Sequence, residues 1–100
     1  MPVFTLLVTL GRAPGDGLPD DATGAGMMCY ASGRDEDEAV RETAAVLRAA
    51  DLNPLEIESY GSIEDRIAAG HEIDAEERAL MDRAEVENAV IVAQVEHFLD

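Results

Sequence analysis

Residues 3–10, Val-Phe-Thr-Leu-Leu-Val-Thr-Leu, form a short apolar run bounded by Pro2 and Gly11. Its length and β-branched content predict a strand. Alternation places Phe4, Leu6, Val8 and Leu10 on one face, read as the core face, and Thr5, Leu7 and Thr9 on the other. Residues 27–32, Met-Met-Cys-Tyr-Ala-Ser, predict a second strand antiparallel to the first. Between the two, residues 11–26 carry five of the eight glycines together with Pro14 and Pro19. That composition predicts a loop. A loop of this length in a compact domain is expected to be functional or mobile.

The period then changes. Val40, Thr43, Ala44, Leu47 and Ala50 recur at helical spacing. Asp35 supplies an N-cap and Glu38 stands at capping-box distance. An acidic first turn suits the helix dipole, and Asn53-Pro54 is read as the stop. Residues 55–60 alternate again. Leu55, Ile57 and Ser59 point one way, and Glu56, Glu58 and Tyr60 the other, as in a half-exposed strand. The strand–helix–strand unit over 27–60 predicts a right-handed crossover between parallel strands. A short helix is expected at 63–69, capped by Ser62 with Asp65 three residues on and closed by Gly70. Another is expected at 75–87, capped by Asp74 with Glu77 as capping-box partner.

The C-terminal stretch admits two readings. Leu80, Ala84, Ile91, Val95 and Phe98 roughly keep helical spacing, as one helix over 75–99 would. The β-branched run Val90-Ile91-Val92 and the left-handed tolerance of Asn88 favour a stop and a strand over 90–98. The second reading is preferred. It gives an α+β fold of order β-β-α-β-α-α-β, a four-stranded mixed sheet with helices packed on one face. The large core side chains would be Val3, Phe4, Leu6, Leu7, Val8, Val40, Leu47, Leu55, Ile57, Ile63, Ile67, Leu80, Val90, Ile91, Val92, Val95 and Phe98. One hundred residues fit a single domain over 1–100.

Charge narrows the list of partners. Twenty-two acidic residues oppose seven arginines and no lysine, for a net charge of −15. Nucleic acid and anionic membranes repel such a surface. Basic proteins and cations are attracted to it. Acidity also serves solubility alone. Cys29 is the only cysteine, which fits a reducing, cytoplasmic setting. The N-terminus lacks the basic region of a signal peptide, and the apolar run at 3–10 is too short to span a bilayer.

No motif in the chain specifies chemistry. The glycines of 11–26 do not open into a helix and have no lysine for phosphate, while Asp16, Asp20 and Asp21 would repel it. Those aspartates lack the frame of a dedicated calcium loop. Cys29, His71 and His97 stand 42 and 26 residues apart in sequence, without the paired spacing of a zinc site. Cys29 in an apolar strand reads as a small core residue rather than a nucleophile. No catalytic residue, metal or cofactor is therefore assigned. The acidic and aromatic stripe Glu56, Glu58 and Tyr60 is the candidate binding surface, suited to an arginine-rich partner.

The segment Gly33-Arg34-Asp35-Glu36-Asp37-Glu38-Ala39 resembles the strand-to-helix corner of the antitoxin halves of some toxin–antitoxin pairs. The resemblance covers fewer than ten residues and lacks the rest of that pattern, so no family is assigned from it. The functional expectation is a small acidic, non-catalytic interaction or accessory domain. It would mask a basic protein, as an immunity-like or antitoxin-like protein does, and self-associate through sheet edges or apolar helix faces. The alternative is a small-ligand binder or minor enzyme with its site under the 11–26 loop.

Overall fold

The computed structural model describes residues 1–99. Seven elements follow in order: β1 (Val3–Gly11), β2 (Gly24–Ser32), α1 (Glu36–Ala49), β3 (Asn53–Ser62), α2 (Ile63–Ala68), α3 (Ala75–Glu87) and β4 (Val90–Phe98). The four strands make one sheet in the order β3-β1-β2-β4. The fold is α+β, and residues 90–98 are a strand.

The mixed sheet expected from the sequence is corrected. Every neighbouring pair is antiparallel. β2 and β3 do run in the same direction, because each pairs antiparallel with β1. The α1 crossover therefore joins parallel strands that are not neighbours, with β1 lying between them.

Helices on one face is corrected as well. Leu47 and Ala39 of α1 pack on the side that carries Phe4, Leu6, Val8, Met27, Cys29 and Ala31. Met81, Ala84 and Leu80 of α3 pack with Val3, Tyr30 and Met28. Successive strand residues point to opposite faces, so α1 and α3 cover opposite sides of the sheet. The physical reason lies in the second face. With Val3, Leu7, Met28 and Tyr30 on it, that face is too apolar to stand wholly in water.

The helix ends follow local chemistry. Asp35 accepts a hydrogen bond from the Glu38 N–H at 2.8 Å. Ser62 and Asp65 form a reciprocal capping box. Asp74 accepts from the Glu77 N–H at 2.8 Å, but the Glu77 side chain does not return to complete the expected box. α3 stops at Asn88 in the left-handed conformation, φ 49°. α1 ends at Ala49, before Asn53-Pro54, with Asp51 in positive φ beyond it. Asn53 and Pro54 instead open β3.

The loop is shorter than 11–26, since Gly24–Gly26 lie within β2. The remaining turn is ordered around one ion pair. The Arg12 guanidinium meets Asp16 at 3.0 Å and donates to the carbonyls of Pro19 and Ala22. Asp16 also accepts from the N–H groups of Ala13 and Leu18 at 2.9 and 3.0 Å. Those backbone bonds, with Arg12, hold its carboxyl below the usual aspartate range. Leu18 then packs on the α1-side core.

Several expected core residues lie outside. Leu55 is 65% exposed. The register slips between Thr9 and Leu10, which makes Leu55 an extra bulge residue. Ile67, Val92, Val95 and Phe98 are exposed too, at the far side of a short helix and along an edge strand. The interior takes instead Tyr30, Cys29, Thr5, Thr43 and Met81, with alanines at 25, 31, 39 and 84.

Candidate functional site

The face opposite α1 divides in two. Over one half lie α2 and α3, held by a polar cluster. Arg66 sits on α2 with its side chain 11% exposed. Its guanidinium donates to Glu77 Oε1 at 2.7 Å, to Thr5 Oγ1 at 3.2 Å and to His71 Nδ1 at 3.2 Å. The Tyr30 hydroxyl donates to the same Glu77 oxygen at 2.5 Å. This is where the Glu77 side chain goes in place of the capping box. Burial drives the Glu77 carboxyl up; the bonds from Arg66 and Tyr30 outweigh it and hold the group below the ordinary glutamate value. Burial, then the bond to Glu77, raises the Tyr30 phenol. The Arg66–Glu77 ion pair, with the Tyr30 phenol and the Thr5 hydroxyl bonded to it, ties two helices to two strands.

The other half is bare. Leu7, Thr9, Gly26, Met28, Gln94 and Phe98 floor an open cleft of about 240 Å³, with Val95 and Glu96 at its side. The glycines matter here. Phe98 lies across the strand from Gly24, and a Cβ on Gly26 would stand 3.4 Å from the tip of its ring. Glycine at 26 thus lets the aromatic ring rest close to the sheet.

Two residues of the sequence-predicted stripe stand beside this cleft without lining it. Glu58 is paired with Leu7 and Glu56 with Thr9, so both carboxylates share the bare face with the cleft floor. Tyr60 follows by alternation and is 41% exposed. Glu96, opposite Gly26 on the other flank, adds a third carboxylate. The bare half is therefore an apolar floor between acidic margins on β3 and β4. None of Leu7, Met28, Gln94, Glu96 and Phe98 was read from the sequence as a site residue; Leu7 and Phe98 were expected in the core. The cue was Leu7, an apolar residue on the face of β1 opposite the one read as core.

Residues 3–99 match the family described as Domain of unknown function (DUF8846). The chain belongs to that family. Neither a curated protein nor a solved structure matches it. Within this DUF8846 chain, the remaining sequence candidates separate in space. Cys29 is fully buried on the α1 side, and burial pushes its thiol up to about 11, so it is protonated and inert at neutral pH. Tyr30 faces the other way, toward Glu77. His71 is engaged by Arg66, and His97 lies on β4 opposite Ala25. Among the described residues, no three His, Cys, Asp or Glu side chains gather as metal ligands. Among them too, no helix is long and apolar enough to cross a membrane.

Proposed function

We propose that this domain is a non-catalytic interaction module that docks a basic protein partner on the bare half of its sheet. The observation that carries the reading is the cleft itself. Half-buried Leu7 and Met28 and the exposed Phe98 line it, beside a polar cluster that closes the rest of the same face. Exposed apolar surface rimmed by polar residues marks contact sites. The rim of Glu56, Glu58 and Glu96, in a chain of net charge −15, selects arginine- or lysine-bearing partners and speeds their encounter. A cleft of 240 Å³ falls below the roughly 300–1,000 Å³ of enclosed small-molecule sites. That favours a side chain or two of a protein over a buried metabolite. The acidity would then serve recognition, and the module would work in the cytoplasm, where Cys29 stays reduced.

A synthetic peptide alternating arginine and leucine, titrated into labelled protein, tests the proposal. Chemical-shift changes should concentrate at Leu7, Gly26, Met28, Glu96 and Phe98. Affinity should fall as salt rises. Shifts spread over the acidic start of α1, or binding indifferent to salt, would reject the reading.

A further inference from the structure

The sheet has two outer edges, and the chain treats them differently. β3 is defended. Pro54 lacks an N–H, two register slips break the strand, and the second falls at Gly61, with φ +89°. Here a Cβ would press 2.7 Å from the Asp65 side chain, so glycine is required. Proline, bulges and charge are the usual means of blunting an edge.

β4 is open by comparison. Its nine residues, Val-Ile-Val-Ala-Gln-Val-Glu-His-Phe, contain no proline, one carboxylate and one register slip. Among the described residues it pairs only with β2, so its other side presents N–H and C=O groups without a strand partner there. Val92 and Val95 are 42% and 47% exposed, and Phe98 and Leu99 extend the apolar line. A long apolar edge of high strand propensity is a template for another strand.

We infer that β4 pairs antiparallel with β4 of a second copy, joining two sheets into one of eight strands. The identical strand is its own complement under a two-fold axis. Any two-fold axis away from Glu96 sets that residue against a different one of the second copy, so the only carboxylate of the strand does not face itself. The consequence for the cleft is direct, since Gln94, Glu96 and Phe98 lie on β4. The bare half of each copy would then be bordered by β4 of the second copy. The inference does not depend on what the cleft binds.

Light scattering on the whole chain tests it, across protein concentration and salt. The expected mass is twice 10.7 kDa. Salt should strengthen the dimer, because at about 1 M the screening length falls to about 3 Å and repulsion between two chains of −15 is quenched. Val92→Lys with Val95→Lys should return the monomer, with the melting temperature of dilute protein kept. Leu55→Lys on the defended edge should leave the dimer intact. Hydrogen exchange on the unaltered protein gives a second readout: β4 amides should gain protection with concentration and β3 amides should not. A monomer under all conditions, a dimer that survives both lysines, or protection arising at β3 would overturn the inference. A monomer that still binds the arginine–leucine peptide would leave the docking proposal standing alone.

Discussion

The covered and bare halves of one sheet face are built from the same strands, yet they are finished differently. β1 contributes Val3 and Thr5 to the covered half and Leu7 and Thr9 to the bare one. β2 contributes Tyr30 to the first, and Met28 and Gly26 to the second. Length accounts for part of the difference. A helix of thirteen residues is about 20 Å long, and a strand of nine is about 30 Å, so α3 cannot cover β2 end to end. Chemistry accounts for the rest. Where the helices lie, Arg66 saturates Glu77, Thr5 and His71. Where they stop, the rows continue with apolar side chains and exposed carboxylates. The polar cluster stands in one half, and the surface proposed for recognition in the other.

The largest expected effect comes from cutting the cluster. Arg66→Ala leaves Glu77 partly buried with only Tyr30 as donor and strips Thr5 of its partner. Breaking a buried pair costs about 3–5 kcal/mol. With the Glu77 side chain 23% exposed, water recovers part of that, so a loss of about 2–3 kcal/mol is expected. Urea unfolding measures it. Peptide binding at the bare half should persist in whatever fraction remains folded. Loss of stability below about 0.5 kcal/mol, the range of an ordinary surface change, would erase the contrast between the halves.

A smaller effect, about 1–2 kcal/mol at neutral pH, is expected for Glu77→Gln, which keeps shape but loses charge-assisted bonds. Its pH dependence is more diagnostic. The folded carboxyl titrates below its unfolded value. Its contribution is therefore complete above the ordinary glutamate range and is lost as pH falls through the depressed folded value. The gap between native and Glu77→Gln unfolding midpoints should close on acidification. A gap constant from neutral to acid pH would show that Arg66 and Tyr30 do not favour the charged form.

What the sequence disclosed, and what it did not, follows the same division. Caps at Asp35, Ser62 and Asp74, the stop at Asn88 and the strand from Val90 are local events, set by residues within one turn of each other. They were legible. Which strands sit side by side was not, since β1 intervenes between β2 and β3 through contacts distant in sequence. Arg66 was missed because a six-residue helix is too short for a period to mark its inner face, and an arginine there reads as solvent. Glu77 was assigned to the cap because its spacing fitted, and a partner eleven residues back outbid that local role. Alternation placed Glu56 and Glu58 on one exposed strand face. The cleft beside them was hidden, because half of it lies on β4, whose register with β2 no local rule supplies.

The least perturbing change sharpens the comparison most. Glu56 and Glu58 are two residues apart on one face, so their Cα atoms lie roughly 7 Å from each other. Neither has a cation within salt-bridge distance among the described residues. Replacing both by glutamine removes a like-charge repulsion and no contact. Stability should stay within about 0.5 kcal/mol of the parent. Any gain at low salt should vanish at about 1 M, where the screening length is about 3 Å. Affinity for the arginine–leucine peptide should nevertheless drop several-fold, since each exposed charge pair contributes about 0.2–1 kcal/mol. The two measurements must part company in this variant: if the carboxylates were part of the sheet's internal support, stability and binding would fall together.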